Sequence, residues 1–167
     1  MIRPARSADL AFLSAIEISA GQRFVGTPMA FAAAHPPSPI DALEAALASA
    51  SLWVATDAAD APVGFLFGEA VDGWFHVLEV SVHADVQGQG HDATLLAAAA
   101  AAAPGQGCDR LSLTTDRDIA FNGPWYRRCG FAEIQPADAP DWLAAIPARE
   151  ATHGLDAARR AIMVRTL

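Results

Sequence analysis

The chain has 167 residues, 53% of them hydrophobic and 18% charged, which suits one globular domain with a sizeable core. Its formal charge of −8 excludes a phosphate-neutralising nucleic-acid surface, which needs clustered Lys and Arg. No apolar run reaches the ~18 residues of a membrane span, and MIRPARSAD leads into no apolar block of the signal-peptide kind, so a cytoplasmic protein is expected.

IRPA at the N-terminus carries a short strand signal. Ser7 and Asp9 then offer a helix start before LAFLSAIEISAG, whose apolar residues recur at helical spacing, with Gly21 as the stop. Residues 26–39 hold four prolines and read as a loop long enough to act as a lid or binding element. Pro39 opens a second helix, IDALEAALASA. LWVATDA, PVGFLFGEAV and WFHVLEVSV follow as three strands, with Asp57–Pro62 and Asp72-Gly73 as turns, so that they pair as a meander. VQGQG leads into the helix DATLLAAAAAAA, whose alanines suit close packing on a sheet, and Pro104–Gly107 ends it. CDRLSLTTD is a strand, NGPWYRRCG a short helix, FAEI a strand, 138–154 helical or mixed, and ARRAIMVRTL a closing strand. Neither a repeat nor a second-domain boundary interrupts this order, so residues 1–167 read as one α/β domain with a mixed, mostly antiparallel sheet.

The glycine loop is the densest signal. A strand that passes through glycines into a helix N-terminus makes an anion site. The first helical N–H groups lack internal partners, the helix dipole adds positive charge, and glycine lets a ligand approach the backbone. A tight turn without a ligand has the same spacing. Gly88-Gln89-Gly90-His91-Asp92-Ala93 also fits G-x-G-x-x-A, the dinucleotide fingerprint, with Asp116 in the position of a ribose-binding acid. That fingerprint usually sits on a first strand, whereas here about 80 residues precede it.

Two stretches together carry a resemblance. Gln87 to Asp92, after LEVSVHADV, resembles the Q/R-x-x-G-x-G/A signature of the GNAT superfamily of N-acetyltransferases. NGPWYRRCGF, residues 122–131, resembles that family's later helix, where a Tyr precedes Gly-Phe, in the Asn-x-Pro-aromatic-Tyr form of one bacterial subgroup. The resemblance implies a single GNAT-like domain that uses acetyl-coenzyme A as cosubstrate, without a metal, and acetylates a primary amine. A small molecule is the expected acceptor; a protein N-terminus or lysine is the other. It also implies coenzyme contacts from Val80, Val82, the loop residues Gln87, Gly88, Gln89, Gly90, His91 and Asp92, and Asn122. Loops 26–39 and 136–154 become the acceptor walls. A coenzyme-A-binding protein without activity is the rival reading and an NAD-dependent oxidoreductase the third; a homodimer stays open.

Acetyl transfer needs a polarised thioester, a base for the amine and an acid for the departing sulfur. Tyr126, the only tyrosine, takes the acid's place by resemblance, and a phenol near pKa ~10 stays protonated at neutral pH. Asn122 shares its helical face and also suits an N-cap. Glu79 and Ser81 alternate against Val80 and Val82, so a cleft on the first face makes Glu79 the candidate base. His76, His83 and His91 follow no ligand spacing and read as surface or loop histidines. Cys108 and Cys129, without CxxC spacing, read as free thiols, Cys129 in packing. Asp92 departs from the small residue the family places there. Its charge either turns outward or competes with a phosphate for the helix N-terminus, where a like-charge pair at ~4 Å costs roughly 1 to 4 kcal/mol.

Overall fold

The computed structural model describes residues 1–167. Strand β1 (Ile2–Pro4) leads through a 3-10 turn at Ser7–Asp9 into helix α1 (Leu10–Gly21). Asp9 closes this entry: its carboxylate accepts from the Arg6 N–H (2.7 Å) and takes both ends of the Arg3 guanidinium (2.7 and 3.0 Å). Beyond α1 the chain forms an arm with 3-10 turns at Gln22–Phe24 and Ala30–Ala34, then helix α2 (Ile40–Ala48). Strands β2 (Leu52–Thr56), β3 (Pro62–Val71) and β4 (Trp74–Val82) form the expected antiparallel meander. The β3–β4 turn uses Asp72 and Gly73, both at positive φ, as a two-residue hairpin of this twist requires.

Helix α3 (His91–Ala102) follows the glycine loop, and β5 (Arg110–Asp116), α4 (Gly123–Arg128), β6 (Ala132–Ile134), α5 (Asp141–Ala144), α6 (Ile146–Ala151) and β7 (Arg160–Thr166) complete the chain. The seven-stranded sheet runs β1-β2-β3-β4-β5-β7-β6, with β4–β5 its parallel pair. This is the mixed, mostly antiparallel single-domain architecture expected. No helix is long and apolar enough to cross a membrane.

Both faces of the sheet are covered, which is why all five residues of β2 are buried. Leu52 and Val54 point with Phe65 and Phe67 to Leu13, Ile16 and Leu43 of α1 and α2. Trp53, Ala55 and Leu66 point the other way, to Leu95, Leu96 and Ala99 of α3. The small side chains of α3 let it lie close to the strands. Each fully buried Phe or Leu contributes about 1.5 to 3 kcal/mol, so the two cores hold the site's strands rigidly.

Two irregularities shape the site. In β3–β4, Phe67 pairs with Glu79 but Gly68 pairs with Val77, which leaves Leu78 as an extra, exposed residue. The bulge reverses the alternation, so Val77, Val80 and Val82 all face the α3 side, while Glu79 and Ser81 face the α1 side. Gly68 is needed opposite it, because a Cβ there would collide with the His76 carbonyl and the Phe75 ring. Second, β4 and β5 pair over three residues, Trp74↔Arg110 to His76↔Ser112, and then separate. The gap between the ends of these strands becomes the cleft.

Candidate active site

A cavity of about 630 Å³ fills the splay. Leu78 to Val82 of β4 and Leu113 to Thr115 of β5 line its flanks. The arm and Asn122, Trp125 and Tyr126 of the β5–α4 region complete the lining. Glu79 and Tyr126, the two residues put forward for chemistry, line this one space. Glu79 Oε1 accepts from Ser81 Oγ at 2.8 Å. Burial, and then the Glu17 carboxylate of α1, push the Glu79 carboxyl up to about 7. Tyr126 ring edges meet Trp125 (4.8 Å) and Phe131 (5.7 Å), which fix the phenol's direction. Burial, followed by the Glu79 charge, raises its pKa further above its usual value, so the O–H stays protonated.

Glu17 is a carboxylate that the sequence alone did not single out. It lines the same cavity, and both of its oxygens accept from Ser38, at 3.0 Å each, so the arm's end is pinned to α1. Burial raises its pKa too. A single acid on an amphipathic helix gives no sequence signal; only its position opposite β4 matters. Across the cleft, Glu150 of α6 takes the Arg160 guanidinium at 2.7 and 2.8 Å and the Thr114 hydroxyl at 2.6 Å, which fastens α6 to β5 and β7.

The glycine loop lies at the cavity's rim. Gly88 and Gly90 have φ of 76° and 84°, and a Cβ built on either meets nothing within 4 Å. The N–H groups of Gly88, Gln89, Gly90, His91 and Asp92 have no acceptor in the chain. Five free amides beside a three-turn helix N-terminus fit an anion as large as a diphosphate. Gln87 serves the loop itself, since its Nε2 donates to the Val82 carbonyl at 3.0 Å. Val80 and Val82 line the cleft, Val82 with its other side in the core. Of residues 87–92, Asp92 is the one that lines the cavity; Gln87 and His91 are half-buried and Gly88, Gln89 and Gly90 are exposed. Asp92 is among the cavity-lining residues, and its Oδ1 accepts from the Ala93 N–H at 2.9 Å. The Asn122 side chain caps nothing; its backbone carbonyl accepts from the Tyr126 N–H at 2.9 Å, and the residue lines the cleft.

Three expectations are corrected or decided. His76 is not a surface residue: it is 3% exposed, its Nδ1 lies 2.9 Å from Ser112 Oγ and its ring meets Trp142 edge-on. Burial lowers its pKa to about 4, so it is neutral at pH 7. The cover comes from α5, 66 residues on, which strand alternation cannot reveal. Asp116 is no ribose ligand, since its carboxylate is buried and bound to Arg159 at 2.8 and 2.9 Å. Burial opposes its charge, but Arg159 and the N–H groups of Ile119 and Asp118 outweigh it and hold the pKa below the usual range. Cys108 and Cys129 are free thiols, Cys108 buried.

A family model described as acetyltransferase (GNAT) domain matches residues 48–133, just over half of the chain and the stretch that contains β4, the loop and Tyr126. Solved structures share the fold. The PaiA N-acetyltransferase of Thermoplasma acidophilum in complex with coenzyme A is 13% identical at a TM-score of 0.72, covering 100% of this chain and 98% of that one. A GNAT-family acetyltransferase of Staphylococcus aureus is 16% identical at 0.73, with the same coverage. The N-acetylglutamate synthase of Neisseria gonorrhoeae, complexed with coenzyme A and N-acetyl-glutamate, is 19% identical at 0.73; this chain spans 35% of its length.

Proposed function

The chain belongs to the GNAT acetyltransferase family, and from that premise we propose that it acetylates a primary amine of a small molecule in the splay between β4 and β5. The observation that carries this reading is one cavity lined by both a carboxyl with a pKa near 7 and a phenol held neutral.

Acetyl-coenzyme A, the cosubstrate, supplies an acyl group already activated as a thioester. The five free amides at residues 88–92 would hold its diphosphate, and the cleft faces of Val80, Val82 and Asn122 its pantetheine arm. Glu79 accepts the amine's proton, directly or through one water, as a new C–N bond forms. Tyr126 gives its proton to the sulfur as the C–S bond breaks. A base near pKa 7 suits neutral pH, since about half is in the receptive form there. The walls support a small, cationic acceptor. Phe24 of the arm meets Phe121 at 5.3 Å, and both rings line the cavity. Glu17, Glu69 and Glu79 favour a cationic amine.

Asp92 supports a second reading, a coenzyme-A-binding protein of weak activity, because it places an acid at the helix N-terminus on the lining of the cavity. The dinucleotide reading is set aside: the family match covers the fingerprint, and Asp116 is committed to Arg159. One experiment separates the first two. Amines are screened by free-thiol release, and thermal shifts against acetyl-coenzyme A, coenzyme A and NAD are run beside them. Stabilisation by acetyl-coenzyme A with amine-dependent thiol release is expected. Stabilisation without release by any amine leaves the binding protein, and stabilisation by NAD alone overturns both.

A further inference from the structure

Arg23, in the arm's first 3-10 turn, has a curious setting. Its guanidinium lies over the Phe121 ring at 3.9 Å, and its neighbour Phe24 meets the same ring. No carboxylate lies within ion-pair distance, and none of its N–H groups has an acceptor in the chain. The cavity lining contains two other arginines, Arg149 and Arg160, and both stand with α6 and β7 on the acceptor side. Arg23 is therefore the cation of the coenzyme half. It shares that half with Asp92 and Tyr126; burial lowers its pKa below the usual arginine value, against the pull of the Asp92 charge.

A guanidinium stacked on an aromatic ring keeps its edge free to donate in its own plane, the arrangement in which Arg forks onto phosphate oxygens. The loop that ends at Asp92, which lines the same cavity as Arg23, holds five amides with no acceptor. Asp92 itself adds a negative charge where an anion should sit. With the coenzyme site as proposed above, we infer that Arg23 is a diphosphate-binding residue, and that it offsets Asp92 so that the loop still accepts a dianionic group. The acid in the loop and the cation in the arm are then one device. The arm, expected to be an acceptor wall, then also serves the coenzyme, and its positive charge replaces the neutrality that a small residue at position 92 would have given.

The test is the binding of coenzyme A, dephospho-coenzyme A and pantetheine to Arg23→Gln, Arg23→Lys and the wild type by calorimetry, with pantetheine measured by competition. Arg23→Gln should weaken coenzyme A and dephospho-coenzyme A on the order of tenfold each, as the loss of a charge-assisted contact implies. It should leave pantetheine, which has no diphosphate, unchanged. Arg23→Lys keeps the charge and loses the fork, so it should fall between. An equal loss for all three ligands would mean that Arg23 acts by packing the arm, and the inference fails. A loss for coenzyme A but not for dephospho-coenzyme A would place Arg23 on the 3′-phosphate and also overturns it. An unchanged dissociation constant in Arg23→Gln sinks the inference while the coenzyme reading stands. Failure of the wild type to bind coenzyme A sinks both.

Discussion

Glu79→Gln should make the protein more stable at pH 8 and far less active. The substitution keeps shape and the bond from Ser81 Oγ, since an amide oxygen still accepts. What it removes is a charge that the fold tolerates poorly. The ordinary carboxyl value is 4.5, and burial followed by Glu17 brings Glu79 to about 7. The folded protein therefore binds this proton more tightly than the unfolded chain. Below pH 4.5 both states hold it and the group costs nothing. As pH rises through 4.5 toward 7 the unfolded chain releases it first, and stability is lost until both states are ionised. Above pH 7 the accumulated penalty is about 3 kcal/mol, at 1.36 kcal/mol for each pH unit between the two values. Gln has no such penalty. Urea unfolding at pH 8 should show a gain of up to about 3 kcal/mol, or roughly 6 to 12 °C in melting temperature for a domain of this size. At pH 5 the gain should fall below about 1 kcal/mol. Equal stabilities at pH 8, or a gain that does not change with pH, would refute a desolvated carboxylate at this position. The same variant should lose about 10² to 10⁴ in kcat/KM with the best amine, together with the acidic limb near pH 7.

Three further outcomes are expected. Tyr126→Phe keeps the ring contacts with Trp125 and Phe131; coenzyme A affinity should hold while single-turnover acetylation slows, and an unchanged rate would demote the phenol to packing. Asp92→Gly and Asp92→Asn should both tighten coenzyme A binding, with a gain that shrinks as salt rises. A gain for Gly alone points to crowding instead, and no change in either means that the carboxylate does not meet the phosphates. Asp116→Asn leaves the Arg159 guanidinium facing a neutral group at a site 1% exposed on the acid's side. It should lower stability in urea unfolding, by less than the loss of a fully buried pair because Arg159 stays 29% exposed and keeps Asp118 nearby; an unchanged unfolding midpoint would refute a stabilising role.

The elements that generate the fold are local in sequence and were readable there. Alternation in residues 52–82, the Asp72-Gly73 turn and the glycine loop specify strands, hairpin and helix start through backbone geometry that neighbouring residues impose. Glu79, Asn122 and Tyr126 could be placed because each stands in such an element beside a recognisable motif. The rest depends on distant pairs. The bulge at Leu78 inserts one residue without breaking the hydrophobic alternation in an obvious way, yet it decides which side chains face the cleft. Glu17 and Arg23 look like ordinary surface charges until α1 and the arm are laid over β4. His76 looked exposed because its cover, Trp142, comes from a helix that no strand pattern announces.

The short parallel seam of β4 and β5 has a mechanical meaning as well. Three residue pairs join the β1–β4 plate to the β5–β7–β6 plate, while one apolar core runs beneath both. Each plate has its own antiparallel ladder, and β5–β7 pairs over seven residues. Native-state hydrogen exchange should resolve two cooperative opening units whose border runs along the seam. A ligand wedged in the splay would touch both plates, so coenzyme A should raise protection in β5 and β7 as well as in β4. Protection confined to the β4 plate would mean that the two halves do not share the load.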